Sequence, residues 1–155
     1  VHSRRGRKPP KPGSKDDFIV ARTDTDHPIA YQLAAHQADV LLEAAEAILS
    51  AHNPVSIDLN MGCPVKKITG NFEGCALMKE PELAASLVKT LTDRLPVPIS
   101  VKFRLGWDMN SMNYVDFGKR LEDAGASMVT LHARTRSQGY APGCKWEAFG
   151  ELKQA

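Results

Sequence analysis

Apolar positions along this chain recur in two alternating periods. Ile29–Leu33 (IAYQL), Val55–Asn60 (VSIDLN), Ile99–Leu105 (ISVKFRL) and Ser127–His132 (SMVTLH) are short apolar runs with the length and composition of buried strands. The segments between them follow helical spacing instead. Gln37 to about Ala51 places Val40, Leu41, Ala44, Ala45 and Ile48 on one face, and Asn53-Pro54 ends it. Pro81 suits a first helical position, and the helix it opens runs to about Leu95 with Leu83, Leu87, Val88, Leu91 and Leu95 inward. A third helix, from about Ser111 to Ala124, buries Val115 and Leu121 and is capped by Gly125. Met61–Glu80, with Gly62, Pro64, Gly70 and Gly74, reads as one long loop.

Strand and helix therefore alternate four times. Near-continuous apolar strands in that order imply an α/β fold, a parallel sheet covered by helices. Doubly wound sheets and closed barrels both satisfy the pattern. No G-x-G-x-x-G follows any strand, which disfavours a dinucleotide-binding doubly wound sheet.

Composition narrows the class only a little. The chain has 155 residues, 43% hydrophobic and 25% charged, ordinary for a globular domain. No apolar run approaches the ~20 residues that span a bilayer, so no membrane partner is expected and a cytoplasmic home is the default. Cys63, Cys75 and Cys144 show no C-x-x-C spacing, which argues against a disulfide framework or a metal site. The net charge is only +2, but Arg4, Arg5, Arg7, Lys8, Lys11 and Lys15 all precede the first acid, Asp16. With Pro9, Pro10, Pro12 and Gly13, residues 1–27 read as a basic, proline-rich, poorly ordered lead-in with a short strand at 18–21, and residues 28–155 as the folded part. Contact of that arm with RNA phosphates is the sharper reading.

Each strand ends in a side chain with chemistry. The first carries Gln32, the second Asn60 and then Cys63, the third Lys102 and Arg104, and the fourth His132 and then Arg134. Each alone has a plain structural explanation: a capped strand end, a turn former, a small buried thiol, an ion pair, a core histidine. Four strand ends in succession form a constellation, and in a (β/α) barrel the C-terminal strand ends face one mouth where chemistry sits.

The motifs here carry a resemblance. Asp58-Leu-Asn-Met-Gly-Cys-Pro-Val-Lys-Lys67 resembles the N-x-G-C-P-x-K signature of tRNA-dihydrouridine synthases. Gly74-Cys-Ala-Leu-Met78, Val101-Lys-Phe-Arg-Leu-Gly-Trp107 and Leu131-His-Ala-Arg-Thr-Arg136 are similar to the same family's further motifs, in order and spacing, over about residues 28–149. The resemblance implies a partial TIM (β/α)8 barrel. Its four central βα units would match the family's third to sixth strands, with helices outside.

The resemblance also implies an activity: FMN- and NADPH-dependent reduction of the C5=C6 bond of uridine in tRNA. By motif, Cys63 would be the catalytic acid that protonates C5 after hydride reaches C6. Gln32, Lys102 and His132 would contact FMN, Asn60 would hold the uracil, and Lys66, Lys67, Arg134 and Arg136 would meet the tRNA. Cys75, where the family usually has Ala or Ser, reads as packing. Glu73 stands in a stretch that is usually richer in glycine. A whole barrel takes ~250 residues, so the first two and last two strands and a helical domain are expected to be missing. Such a fragment is expected to bind FMN weakly, or not at all, by itself. Two alternatives remain: another FMN barrel oxidoreductase acting on a free pyrimidine or dihydroorotate, and a non-enzymatic remnant that binds RNA through its arm.

Overall fold

A computed structural model describes residues 23 and 25–155. The basic cluster before Asp16 and the expected strand at 18–21 lie outside the described residues. The elements run β1 (Ala30–Leu33), α1 (Ala38–His52), β2 (Ser56–Met61), α2 (Lys66–Thr69), a 3-10 helix (Gly74–Lys79), α3 (Pro81–Arg94), β3 (Ile99–Arg104), α4 (Tyr114–Asp123), β4 (Met128–His132) and α5 (Glu147–Gln154).

The four strands form one sheet in the order β1-β2-β3-β4, every pair parallel. That order has no reversal, so the right-handed crossovers all deliver their helices to one face. This is a section of a (β/α) barrel, and the doubly wound alternative does not apply.

The helix side of the sheet is the core. Tyr31, Leu33, Ile57, Leu59, Met61, Ile99, Val101 and Phe103 pack there against Leu41, Ala45 and Ile48 of α1, Leu87, Val88 and Leu91 of α3, and Phe117 and Leu121 of α4. Phe103 and Phe117 meet edge-on with ring centres 5.3 Å apart, a favoured aromatic geometry. The opposite side carries the alternate residues of each strand, and these are largely polar: Gln32, Asp58, Asn60, Ser100, Lys102, Arg104, Thr130 and His132. Burial alternates strictly along β1 and β2, so the strands are apolar on one side only.

Several boundaries have visible causes. Asn53 takes the left-handed conformation (φ 45°) that closes α1. Pro81 opens α3. At Gly125 (φ 100°) the Gly125 N–H donates to Glu122 O and the Ala126 N–H to Leu121 O, a glycine-closed helix end.

Three differences from the sequence reading stand out. The expected loop 61–80 contains α2 and the 3-10 helix, whose Ile68, Cys75, Ala76, Leu77 and Met78 are buried. The third helix starts at Tyr114, not Ser111. Asp108 accepts from Ser111 Oγ at 2.8 Å and the Asn110 N–H at 2.9 Å, which spends residues 108–111 on a turn. Phe117, not Val115, is that helix's main core residue. Finally, α5 was not anticipated; only Ala148 of it is buried.

Candidate active site

Parallel register stacks the polar face into short rows. Gln32 lies beside Asp58 and Asp58 beside Ser100; Asn60 beside Lys102 and Lys102 beside Thr130; Arg104 beside His132. Neighbouring strands sit ~4.8 Å apart, so these side chains are within reach of one another. They bond in a continuous run. Ser100 Oγ donates to Asp58 Oδ1 at 2.6 Å, and Gln32 Nε2 donates to Asp58 Oδ2 at 2.6 Å. Asn60 Nδ2 donates to Gln32 Oε1 at 2.8 Å. The orientation of both amides follows, because a carboxylate only accepts.

The run ends on the loop that bears the thiol. Asn60 Oδ1 accepts the Gly62 N–H at 3.1 Å and the Cys63 N–H at 2.9 Å. From the other side Arg104 Nε donates to Gly62 O at 2.8 Å, and the Cys75 thiol donates to the same oxygen at 2.9 Å. The Cys75 N–H donates to Cys63 O at 3.1 Å. All four backbone polar groups of Gly62-Cys63 are thus satisfied by the protein. Gly74 makes this approach possible: a Cβ there would stand 2.7 Å from Cys63 O and 3.0 Å from Cys63 Cβ, at φ +60°. Cys63 itself is half-buried and Cys75 fully buried. Burial pushes the Cys75 thiol up to about 12 against the opposing pull of Arg104, so it is a bonded packing group and not a second reactive thiol.

Cations occupy the far side of the face. Lys102 is half-buried and makes no hydrogen bond or ion pair to another described residue. His132 Nε2 lies 3.0 Å from Arg134 Nη1. A guanidinium only donates, so Nε2 accepts and the ring proton of the neutral form sits on Nδ1. Burial, then Arg104, Lys102 and Arg134, hold the His132 pKa below its ordinary value. Arg134 Nε also donates to Ala141 O at 2.8 Å.

The structure brings Gln32, Asn60, Lys102 and His132 onto one face, and Asn60 bonds the backbone of the loop that carries Cys63. Asn60, expected at the uracil, uses its oxygen on the Cys63 loop and its amino group on Gln32. Lys66 and Lys67 are exposed on α2, directly after Cys63-Pro64. Arg136 turns aside and stacks on Trp107, its guanidinium carbon 4.5 Å from the ring centre, with Lys79 Nζ also over that ring at 5.0 Å. A surface pocket lined by Thr69, Phe72, Lys79 and Trp107 is lined by none of the expected site residues. Sequence reasoning missed the parts played by Asp58, Ser100 and Arg104. Arg104 was noted as a strand-end residue, yet its 2% exposure and three carbonyl contacts were not foreseen. Arginine in a run of apolar residues was the available signal, since such a charge must find partners.

The donor set suits a flavin. The half-buried Lys102 ammonium, without a partner among the described residues, calls for an acceptor, and a neutral imidazole and a strand-end amide stand on the same face. Among the described residues no group of three His, Cys, Asp or Glu side chains could hold a metal ion. None of the described helices is long and apolar enough to cross a membrane.

The structure is a parallel (β/α)-barrel section with a cysteine in the loop after β2 and a lysine and a histidine on β3 and β4. Residues 11–155 match the family model of the dihydrouridine synthases (Dus), and the chain belongs to that family. It is 45% identical over 130 residues to a probable tRNA-dihydrouridine synthase 1 of Synechocystis, a match covering 84% of this chain and 36% of that protein. A probable tRNA-dihydrouridine synthase of Rhizobium leguminosarum is 40% identical over 82% of this chain and 40% of its own. The tRNA-dihydrouridine(16) synthase of Haemophilus ducreyi is 37% identical over 85% of this chain and 41% of its own. The chain thus spans about two fifths of the length of these relatives.

Proposed function

We propose that this chain forms the catalytic segment of a tRNA-dihydrouridine synthase, with Cys63 as the acid that protonates the uracil. The observation that carries the reading is the loop geometry. The Gly62-Cys63 backbone is fully bonded, tied to Asn60 and Arg104 of the strand ends, while Cys63 itself stays half-buried. Such a thiol is positioned to give a proton at a defined place.

Dihydrouridine synthases are flavin-dependent as a family. The finer assignment is FMN, reduced by NADPH. When bound, reduced flavin supplies the hydride for C6 of the uracil, chemistry no side chain provides. The chain's own residues do the rest. Lys102 would help hold the flavin and offset the negative charge of its reduced form. His132 presents an Nδ1 proton, and Gln32, on the opposite edge strand, is held by Asp58 and Asn60. Asn60 holds the Cys63 loop, and contact with the uracil would pass through the amino group it now gives to Gln32. Cys63 Sγ delivers its proton to C5. The target base must leave its stack to reach this face. Lys66, Lys67, Arg134 and Arg136 would meet the RNA backbone, a reading supported by the exposure of Lys66 and Lys67. A tRNA substrate is in keeping with a cytoplasmic home.

A chimaera tests this. Residues 28–155 would replace the matching segment of the Synechocystis relative, in cells lacking their own dihydrouridine synthases. Dihydrouridine in bulk tRNA, read by mass spectrometry, should form with the chimaera and fail with its Cys63→Ala version. Formation that persists without the thiol would remove Cys63 from the role. Reduction of free uracil but not of tRNA would favour the small-molecule alternative.

A further inference from the structure

We infer that Arg104 is the positioning residue of the Cys63 loop, tying it to the loop that follows β4. The inference rests on the reading of Cys63 as the reactive group.

Three observations carry it. Arg104 is the largest of the fully buried side chains, 2% exposed. Its guanidinium meets backbone carbonyls from two separate loops: Nε reaches Gly62 O at 2.8 Å, and Nη1 reaches Thr135 O at 3.2 Å and Gly139 O at 2.9 Å. Its outer face lies 5.6 Å from the centre of the Tyr140 ring. No carboxylate pairs with it among the described residues; carbonyls of residues 62, 135 and 139 take the place of a counter-ion. A buried charge solvated by backbone dipoles holds those dipoles in turn, because releasing any one exposes the charge to an unpaired state.

The position of the contact matters. Gly62 O belongs to the peptide unit whose nitrogen is that of Cys63. A cationic donor on the oxygen polarises the unit and strengthens the bond its N–H makes to Asn60 Oδ1. Arg104 and Asn60 therefore grip one peptide plane from its two ends. The other anchor is built too: the loop 135–139 is closed by the Thr135 N–H donating to Gln138 Oε1 at 2.7 Å. The fork geometry is needed, since a lysine ammonium in that place cannot span carbonyls of two loops in fixed directions. Arg104 stands on the polar face beside His132, but its hydrogen bonds among the described residues go to backbone carbonyls alone, and it acts on the Cys63 loop through Gly62.

The test reads thiol chemistry and needs neither flavin nor tRNA, so its outcome is separable from that of the tRNA assay. Iodoacetamide modification of the intact chain is followed at each cysteine by peptide mass spectrometry, with Cys144 as internal reference and circular dichroism as the check on fold. Arg104→Met should speed Cys63 relative to Cys144 by about fivefold, the scale of a lost charge-assisted hydrogen bond. Added ethylguanidinium should restore most of the change, whereas Arg104→Lys should not. Gln138→Ala, at the far anchor, should move the same ratio in the same direction by about twofold. It decides the matter if Arg104→Met fails to fold. A ratio unchanged in both folded variants, or unchanged in Gln138→Ala alone when Arg104→Met does not fold, overturns the inference. So does a change that ethylguanidinium leaves untouched, which would mark a merely structural arginine.

Discussion

Asn60 holds Cys63 by its backbone: the Asn60 side-chain oxygen accepts the Cys63 N–H at 2.9 Å and the preceding Gly62 N–H at 3.1 Å. One amide at the end of β2 thus sets the turn that presents the thiol. Removing it should leave the Gly62 and Cys63 N–H groups without their acceptor. Asn60→Ala is expected to lower the unfolding free energy by about 1–3 kcal/mol, the usual cost of stranded polar groups, measured by urea titration. A change of a few tenths would show that water replaces the amide freely and that the turn does not depend on it.

The two thiols flanking Gly74 should behave in opposite ways. Cys75 is fully buried, donates to Gly62 O, and is pushed up to about 12 by burial. At pH 8 its thiolate is about one part in ten thousand, and the thiolate is the reacting form. Cys63 and Cys144, both half-buried, should be modified by iodoacetamide under native conditions while Cys75 reacts only in denaturant. Native-state labelling of Cys75 at a rate similar to Cys144 would mean that the 3-10 helix opens readily.

Where these features could be read in advance follows from how local their causes are. The four strands follow from short apolar runs, and the three main helices from the 3.6 period with Asn53-Pro54, Pro81 and Gly125, all short-range signals. The short helices at 66–69 and 74–79 escape that reading because they are too short to show a period; Ile68 and Met78 are buried there by contacts made elsewhere in the chain. Helix α5 escapes it because it buries only Ala148. The site divides in the same way. Gln32, Asn60, Cys63, Lys102 and His132 stand out as polar groups at strand ends. The service of Arg104 to Gly62 O and of Asp58 to Ser100 depends on bonds across 42 residues, which appear only once register is known. Arg136 was legible as a cation but not as one committed to Trp107.

His132 gives the pH dependence a sign. Burial, with Arg104, Lys102 and Arg134 beside it, lowers its folded-state pKa, while in the unfolded chain the ring titrates near ~6.5. Between those two values the unfolded state holds the extra proton, so stability falls as pH drops through that window and is constant above it. His132→Asn should flatten this dependence, seen as a difference in unfolding free energy that drifts with pH below about 6.5. Lys102→Met removes one of the cations and should raise the His132 titration midpoint in NMR spectra. A midpoint that does not move would place the ammonium farther from the ring than the shared face implies.

Gly74 is the position where a single methyl group should reach the active thiol. Its φ of +60° already disfavours any other residue, and an added Cβ would meet Cys63 O at 2.7 Å, Cys63 Cβ at 3.0 Å and Ile68 Cγ2 at 3.1 Å. Backbone at Cys63 cannot retreat easily, because Asn60 and Arg104 hold the preceding peptide unit, Gly62 O and the Cys63 N–H. Gly74→Ala is therefore expected to cost about 2 kcal/mol or more, combining left-handed strain with the clash. The damage should be directed: the Cys75 N–H bond to Cys63 O is the contact nearest the new methyl, so hydrogen exchange at the Cys75 amide should quicken more than at core amides such as Val101. Gly70→Ala is a control. Its Cβ would meet a single atom, Lys66 O at 2.9 Å, at an ordinary helical φ of −66°. It should disturb α2 while leaving the Cys75 amide protected. Equal effects from the two alanines would show that the segment yields as a whole, and that Gly74 is not what lets the 3-10 helix pack beneath Cys63.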